Sequence, residues 1–119
     1  FEYSNLQVAL TEGTDDFVCS VSFDVENTGP VTGGEVAQLY VVDEISSVVT
    51  PVMQLKKFER KAIALGQKER YTFQLNKEDL KLWNINNAWK TEKGKFKLLV
   101  GASSDDIRLK GEMELKKDY

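Results

Sequence analysis

Hydrophobic and polar residues alternate along much of this chain. In the segment 17–25 every odd position is apolar, and the positions between them are polar apart from Val18. The same period of two is present in 70–75 and in 106–115, where Gly111 takes one of the apolar positions. Because successive side chains of a strand point to opposite faces, this period predicts strands with one buried and one solvated face. A glycine at a buried position indicates either a β-bulge or a close crossing by another strand.

Four other segments predict strands with less regular patterns. The segments 2–10 and 95–101 are the simpler two. The segment 35–42 has apolar residues at both odd-numbered and even-numbered positions, which is typical of a strand covered on both faces. In 54–65 the apolar positions change parity part-way along, which predicts a β-bulge or a transfer between sheets. The large apolar residues of this segment are Leu55, Phe58, Ile63 and Leu65.

Turn-forming residues separate these segments, and one short helix is expected among them. Asparagine, glycine and proline cluster in 27–34, which predicts a turn between two strands. Only 76–83 has a helical pattern, in which Asn76 can cap the first turn and Leu80 and Trp83 share a face. The expected fold is therefore all-β, a sandwich or barrel of about seven antiparallel strands with one short helical crossover.

The composition is that of one ordinary globular domain, and we expect a single unit over 1–119. Of the 119 residues, 41% are hydrophobic and 29% are charged. Sixteen Lys and Arg against nineteen Asp and Glu give a net charge of −3, so the clustered positive charge that nucleic acids and anionic membranes attract is missing. No apolar run approaches the roughly 18–20 residues of a membrane span. We therefore expect neither a nucleic-acid nor a membrane partner.

The sequence contains no histidine. This excludes Ser-His and Cys-His nucleophiles, histidine proton shuttles and histidine-based metal sites. The single cysteine, Cys19, cannot form an internal disulfide. Its place among the apolar positions of its strand predicts a buried and unreactive thiol.

Carboxylates are candidate catalytic groups, because pairs of them perform glycoside hydrolysis. They occur in three adjacent pairs: Asp15-Asp16, Asp43-Glu44 and Asp105-Asp106. Neighbours on an extended chain point to opposite sides, so solvated loop residues are expected rather than a catalytic dyad. The sequence also lacks the spacing of an EF-hand and of a phosphate-binding loop. We therefore predict no catalytic residue, no metal site and no bound cofactor in this chain.

An ordered set of segments covers nearly the whole chain and resembles one known family. The segments are Phe1-Glu-Tyr-Ser-Asn-Leu6, Val25-Glu-Asn-Thr-Gly29, Gly34-Glu-Val-Ala-Gln-Leu-Tyr-Val41, Pro51, Gln54-Leu-Lys56 with Phe58 and Arg60, Leu80 to Trp83, and Trp89 and Glu92 through Gly94-Lys-Phe96 and Val100-Gly-Ala-Ser-Ser104 to Leu109. Together they resemble the fibronectin type III-like domain at the C-terminus of family 3 glycoside hydrolases, the β-glucosidase and β-xylosidase family. Lys57 stands where that family commonly has glycine, and Asn84 where it commonly has aspartate.

The resemblance implies an immunoglobulin-like β-sandwich that serves as a non-catalytic accessory domain. It also implies a parent enzyme that removes terminal β-linked sugars with retention. The sequence itself does not show whether the parent is exported, and we expect it to be periplasmic or secreted because polysaccharide users often export such enzymes. The aspartate nucleophile and the glutamate acid/base of such enzymes belong to upstream domains, so no catalytic residue carries over to this chain. Because the sequence begins at Phe1 without an initiator methionine, we interpret it as a domain excised from a longer glycoside hydrolase.

The apolar excess of 35–42 predicts a surface that something else covers. A free sandwich keeps one sheet face polar, so we expect this face to dock on the catalytic domains of the same polypeptide and to stabilise them. The candidate contact residues are Tyr40, Val49, Pro51 and Phe58. The alternative is that the loop 43–53 folds over this face within the domain, and the sequence leaves both possibilities open.

Two further functions remain as alternatives. Exposed aromatic rings stack on sugars, so an exposed Trp83, Trp89 or Tyr40 would make the chain a carbohydrate- or polymer-binding module with a polysaccharide partner. Packing inside the core or against another domain is the more ordinary use of such rings. The third function, direct hydrolysis of a β-glucoside by this chain, is not expected.

Overall fold

Nine strands and one short helix are the regular elements of the residues that the computed structural model describes, which are 1–43, 53–80, 82–83, 89–91 and 93–119. In chain order they are β1 (Glu2–Glu12), β2 (Phe17–Glu26), β3 (Gly33–Asp43), β4 (Met53–Ile63), β5 (Lys68–Leu75), α1 (Lys77–Leu80), β6 (Leu82–Trp83), β7 (Trp89–Lys90), β8 (Gly94–Ser103) and β9 (Asp106–Leu115).

Two antiparallel sheets contain the seven long strands. One sheet has three strands in the order β1-β2-β5, and the other has four strands in the order β4-β3-β8-β9. Both sheets contribute side chains to one hydrophobic core, while β6 and β7 form a separate two-stranded pair. The predicted all-β fold of about seven antiparallel strands is confirmed, and of the two predicted architectures the structure is the sandwich.

The strand β2 lies at the centre of this core. Its five inward side chains are at most 1% exposed and are Phe17, Cys19, Val21, Phe23 and Val25. Between them, Val18 points to the other side and is 45% exposed. The alternation in the sequence therefore corresponds to alternate burial along the strand, as predicted.

The helix α1 is capped as the sequence predicts. Asn76 precedes the helix, and its Oδ1 accepts a hydrogen bond from the backbone N–H of Glu78 at 3.0 Å. In return, Oδ2 of Asp79 accepts a hydrogen bond from the backbone N–H of Asn76 at 2.9 Å. These reciprocal bonds satisfy amide groups that the first turn of a helix leaves without partners.

The helix is shorter than the predicted range 76–83. The backbone of Trp83 belongs to β6, where it is the cross-strand partner of Trp89 in β7. The prediction that Leu80 and Trp83 share a helical face is therefore wrong. A single turn of helix has little stability of its own, so the strand pairing that follows it determines the local structure.

A β-bulge at Lys56 explains the change of parity along β4. Leu39 of β3 lies opposite Lys57, but the next residue, Tyr40, lies opposite Leu55. Lys56 is therefore the extra residue. Because of it, the outward-facing side chains of β4 are at odd-numbered positions before Lys56 and at even-numbered positions after it. Because β4 pairs with β3 on both sides of this position, the predicted bulge is confirmed and there is no transfer between sheets.

A second β-bulge, at Arg108, changes which side chains of β9 point toward the core. Val100 of β8 lies opposite Leu109, whereas Gly101 lies opposite Ile107, so Arg108 is the extra residue. The period of two in 106–115 predicts that Ile107, like Leu109 and Met113, points inward. For Ile107 this is wrong, because the bulge turns its side chain to the outer face of the sheet. The chain passes so close to Gly101 that an added Cβ would lie 2.1 Å from a backbone oxygen of β9.

At Gly111 the structure decides between the two predicted explanations for an inward glycine. A Cβ added to this residue would lie 3.1 Å from Cδ2 of Leu6 and 3.3 Å from Cγ2 of Val8. Both leucine and valine belong to β1, so β1 crosses β9 closely at this point. Gly111 therefore marks a close crossing, and its pairing with Leu98 continues the regular register.

Asn27 joins the loop after β2 to the turn between β4 and β5. The residue is 2% exposed, and its Nδ2 donates hydrogen bonds to the carbonyl oxygens of Val31 and Ile63, each at 2.9 Å. Its Oδ1 accepts a bond from the N–H of Gly29 at 3.0 Å. Its own backbone N–H and C=O bond to the turn residues 66–67, both at 3.0 Å. The polar groups of this buried side chain are thus bonded to the backbone on both sides.

The first prediction concerns Asn27. The variant Asn27→Ala should lower the free energy of unfolding by about 2–4 kcal/mol, because each buried partner left without a bond costs roughly 1–3 kcal/mol. Urea titration followed by circular dichroism measures this difference. Thr28→Ala, at the exposed neighbouring position, is the matched control and should change stability by less than about 0.5 kcal/mol. Equal effects of the two variants would contradict the role assigned to Asn27.

Three aromatic rings stack on the inner side of the three-stranded sheet. The ring centroids of Tyr3 and Phe23 are 5.8 Å apart with planes at 10°, and those of Phe23 and Tyr71 are 5.3 Å apart at 6°. The guanidinium of Arg108 lies over the Tyr3 ring and the ammonium of Lys61 over the Tyr71 ring, each 5.5 Å from the centroid. A cation therefore lies at each end of the stack, where it is attracted by the electron-rich face of the ring.

The hydroxyl groups of the two tyrosines connect the sheets. Tyr3 donates a hydrogen bond to Oε2 of Glu35 at 3.0 Å, and Tyr71 donates one to the backbone oxygen of Glu35 at 2.6 Å. Burial raises the pKa of Tyr71 to about 12. Burial raises the pKa of Tyr3 as well, and the nearby Glu35 carboxylate adds to this effect.

The second prediction follows from the pKa of Tyr71. An unfolded chain loses the tyrosine proton near pH 10, so the stability that this group contributes is present below pH 10 and is lost as the pH rises toward about 12. Tyr71→Phe should be less stable than the wild type at pH 8, by about 1 kcal/mol for the lost hydrogen bond, and this difference should shrink between pH 10 and 12. Unfolding midpoints at several pH values measure it, and a constant difference would contradict the assignment.

Candidate functional site

Apolar side chains line the outer face of the four-stranded sheet. In β3 the side chains of Leu39 and Val41 are buried in the core, so the alternate residues Tyr40 and Val42 point outward. Cross-strand partners share a face, and the register places residues of β4, β8 and β9 on the same side. The apolar residues of this surface, named here the apolar face, are Tyr40, Val42, Met53, Leu55, Phe58, Leu99 and Ile107.

The part of the apolar face on β4 is open to solvent. Phe58 is 69% exposed, Leu55 is 45% exposed and Met53 is 38% exposed. All three belong to a strand at the edge of its sheet. Contiguous exposed apolar groups on a soluble domain mark a surface that another molecule or domain covers.

Tyr40 lies at the centre of the apolar face, between its cross-strand partners Leu55 and Leu99. It is only 8% exposed, and its hydroxyl donates a hydrogen bond to the side-chain oxygen of Gln38. Of the two predicted contact residues that the structure describes, Phe58 is therefore the accessible one. Tyr40 forms part of the surface on which an occupant would lie.

An open depression occupies the other end of the apolar face, over β8 and β9. Its volume is about 580 Å³, and its apolar lining is formed by Val42, Leu99 and Ile107. The charged residues that line it are Lys97, Lys110 and Glu112. The apolar face thus combines projecting side chains on β4 with a concave region on β8 and β9.

The outer face of the three-stranded sheet is polar by contrast. Asp24 accepts hydrogen bonds from Nδ2 of Asn5 at 2.8 Å and from Nη1 of Arg70 at 3.0 Å. Arg70 also donates from Nη2 to Oε1 of Gln7 at 2.7 Å. The hydrogen bond from Asn5, together with the bond and charge of Arg70, lowers the pKa of the Asp24 carboxyl. This face is a network of polar groups suited to contact with water, and the two outer faces of the sandwich therefore differ in kind.

The other predicted site residues lie outside the described part or are described only in their backbone. Val49 and Pro51 fall in 44–52, outside the described residues, as does most of the loop 43–53. Trp83 and Trp89 are cross-strand partners in the backbone of β6 and β7, and their side chains lie outside what the structure describes. The roles predicted for these four residues remain predictions.

Two of the carboxylates considered for catalysis hold the local structure together. Oδ1 of Asp16 accepts hydrogen bonds from the backbone N–H groups of Phe17 at 2.8 Å and Lys77 at 3.0 Å, and the bond from Lys77 is the main cause of its lowered pKa. Asp106 accepts bonds from Nε of Arg108 at 2.6 Å and from Nη2 at 3.0 Å, which lower its pKa. These two residues were predicted to be solvated loop residues, and the structure shows in addition that their carboxylates accept hydrogen bonds within the domain.

Within the described ranges, no three or more cysteine and carboxylate side chains are gathered as a metal site would require. Over the same residues, no helix is long and apolar enough to cross a membrane.

The sequence pattern did not reveal part of the apolar face. Leu99 is an apolar residue at the outward parity of 95–101, and this was the available signal. Ile107 had no such signal, because the bulge that turns it outward occurs in a segment of regular alternation. Bulges form from the three-dimensional pairing of two strands, so one strand's sequence specifies them poorly.

An antiparallel sandwich of three and four strands defines the chain as an immunoglobulin-like domain. A family model described as "Fibronectin type III-like domain" matches residues 35–104. The chain belongs to this family of fibronectin type III-like domains.

Longer hydrolases contain a segment similar to this chain. Thermostable β-glucosidase B of Acetivibrio thermocellus is 40% identical over 111 residues, which are 92% of this chain and 15% of that protein. β-Glucosidase BoGH3A of Bacteroides ovatus is 38% identical over 109 residues, which are 91% of this chain and 15% of that protein. The structure of β-glucosidase 3B from Thermotoga neapolitana in complex with α-D-glucose superimposes with a TM-score of 0.85 at 31% identity, covering 99% of this chain and 16% of that one.

The chain therefore spans about one seventh of the length of the relatives that it matches. The resemblance to the fibronectin type III-like domain of family 3 glycoside hydrolases, inferred above from the residues, is confirmed. These matches give no support to the alternative of a separate carbohydrate-binding module.

Cys19 is placed as the sequence predicts. Its side chain is fully buried in the core, and burial raises the pKa of the thiol to about 11. A thiol is nucleophilic only as the thiolate, so this residue combines inaccessibility with a protonated state at neutral pH.

The third prediction is that Cys19 reacts only when the domain opens. Alkylation by iodoacetamide at pH 8 should be slow in the folded chain and should become fast in a denaturing concentration of urea. Mass spectrometry of the modified fraction over time measures both rates. Rapid modification of the folded chain, at a rate near that of a small free thiol, would contradict the burial of Cys19.

Proposed function

We propose that this chain is a non-catalytic accessory domain of a family 3 glycoside hydrolase, and that its apolar face packs against the catalytic domains of the same polypeptide and stabilises them. The proposed parent enzyme is a β-glucosidase, because the relatives reported above carry that name. In this proposal the hydrolytic chemistry belongs to the parent's other domains.

The difference between the two outer faces is the observation that carries this proposal. The polar face has carboxylate, amide and guanidinium groups that bond to one another, which suits a permanent contact with water. The apolar face instead exposes Met53, Leu55 and Phe58 together on one edge strand. A domain with one face of each kind is built to be covered on one side.

The larger polypeptide supplies the occupant. In each relative compared above, at least 84% of the protein lies outside the matched segment, since the match covers 15% or 16% of it. A surface of the same polypeptide is always present at high effective concentration, so it needs only modest contacts to remain docked.

Burial of Phe58 provides the scale of the expected stabilisation. Covering a fully exposed side chain of this size is worth about 1.5–3 kcal/mol, and Phe58 is 69% exposed in the domain alone. Losing this contribution would shorten the life of the assembled enzyme at elevated temperature, while the domain itself would keep its core.

The fourth prediction tests this in the full-length parent enzyme. Phe58→Ser should shorten the half-life of activity at elevated temperature several-fold, because the variant loses apolar burial between domains. The isolated domain should unfold at nearly the same urea concentration as the wild type, since Phe58 lies outside the core. Val18→Ser is the matched control, because Val18 is 45% exposed on the polar face.

Two results would contradict the proposal. An unchanged half-life of the Phe58→Ser enzyme would remove the apolar face as the docking surface. A shorter half-life accompanied by an equal loss of stability in the isolated domain would favour the alternative, in which the loop 43–53 covers the face within the domain. Tyr40→Ser is less informative than Phe58→Ser, because Tyr40 is already 8% exposed in the domain alone and its loss would disturb the domain as well.

A further inference from the structure

We infer that the depression over β8 and β9 receives a projecting apolar side chain from the catalytic part of the parent polypeptide, and that a carboxylate beside that side chain pairs with Lys110. This inference rests on the proposed function, since the depression belongs to the same apolar face. It adds which part of the face anchors the partner and which chemistry the partner carries there.

The shape of the apolar face supports an anchor at this position. On β4 the domain presents projecting side chains, of which Phe58 is the most exposed. Over β8 and β9 it presents instead an open concavity of about 580 Å³ with Val42, Leu99 and Ile107 in its apolar lining. Interfaces concentrate their binding free energy where a large apolar side chain fills such a pocket and loses its contact with water.

The register of β8 and β9 defines the charge around the depression. Lys97 lies opposite Glu112, so these two opposite charges are neighbours across the ladder. Lys110 lies opposite the apolar Leu99 and is exposed. With two lysines and one glutamate, the lining carries a net positive charge, although the whole chain has a net charge of −3. A carboxylate on the partner complements this arrangement.

The occupant is identified from the length of polypeptide around this domain. In the relatives compared above, at least 84% of the protein lies outside the matched segment, since the match covers 15% or 16% of it. A surface of that polypeptide faces the depression at a high effective concentration, whereas a second copy of this chain meets it only at the concentration of the protein in solution. The catalytic part of the parent polypeptide is therefore the proposed occupant.

The experiment uses the full-length parent enzyme with two variants in the depression. Leu99→Asn removes an apolar contact, and Lys110→Glu reverses the charge. The controls on the outer face of the three-stranded sheet are Val18→Asn and Gln74→Glu, both at exposed positions. The measured quantity is the half-life of activity at elevated temperature, at low salt and in about 1 M NaCl, where charges are screened beyond about 3 Å. The unfolding midpoint of each variant is also measured in the isolated domain, so that a loss of the domain's own stability can be distinguished from a loss of contact with the catalytic part.

The expected result has two parts. Leu99→Asn should shorten the half-life about tenfold at both salt concentrations, since burial of a leucine side chain is worth about that factor or more. Lys110→Glu should shorten it at low salt, and this effect should disappear in about 1 M NaCl. Both controls should leave the half-life within about twofold of the wild type.

The outcomes separate this inference from the proposed function. If Phe58→Ser shortens the half-life and neither depression variant does, the inference is overturned and the proposed function stands. If none of the three has an effect, both are overturned. A salt-independent effect of Lys110→Glu would overturn the carboxylate partner. A half-life that rises with protein concentration in the wild type, and not in Leu99→Asn, would overturn the inference in favour of a second copy.

Discussion

Burial of the inward side chains of β2 is the interaction on which the rest of the structure depends. These residues fill the space between the sheets, and Phe23 lies between Tyr3 and Tyr71 in the aromatic stack. The hydroxyl groups of the two tyrosines then reach Glu35 in the facing sheet. A single strand thus supplies apolar packing to the core and fixes the rings that connect the two sheets.

The two bulges determine what the domain shows to its surroundings. In a regular ladder, the inward-facing residues of a strand are either all odd-numbered or all even-numbered along its whole length. The bulge at Lys56 allows Ile63 to remain in the core while Leu55 and Met53 point outward. The bulge at Arg108 adds Ile107 to the same surface. The two bulges therefore enlarge an apolar face that regular alternation already begins at Tyr40, Val42 and Leu99.

Much of the fold could be predicted from the sequence, because a period of two in a strand depends only on which side faces the core. The alternation at Phe17 to Val25 identified β2 with its buried residues, and the parity change in β4 indicated a bulge or a transfer between sheets, of which the structure contains the bulge. The helix at 76–83 was overestimated, because cross-strand pairing of Trp83 depends on residues distant in the sequence. The role of Asn27 was not predicted, since its bonds to Val31 and Ile63 exist only after two loops have met.

Only part of the candidate site could be predicted, namely the part that depends on which residues of a strand are apolar. The apolar excess of 35–42 and Phe58 were visible in the sequence, and they lie on one face of the structure. The contributions of Leu99 and Ile107 depend on the register between strands, and so does the place of Lys110 beside the depression. Register is a property of the folded sheet, so a single sequence shows which residues are apolar but not which of them meet.

Residue-specific hydroxyl-radical footprinting is the most direct test of the claim that the apolar face is covered in the parent enzyme. The same side chains are compared in this chain alone and in the full-length protein, with oxidation measured by mass spectrometry. If the apolar face packs against the catalytic domains, oxidation of Met53, Leu55 and Phe58 falls several-fold in the full-length protein, and oxidation of Val18 on the polar face does not change. Equal oxidation of Phe58 in the two proteins, or protection of Val18 instead, would contradict the account.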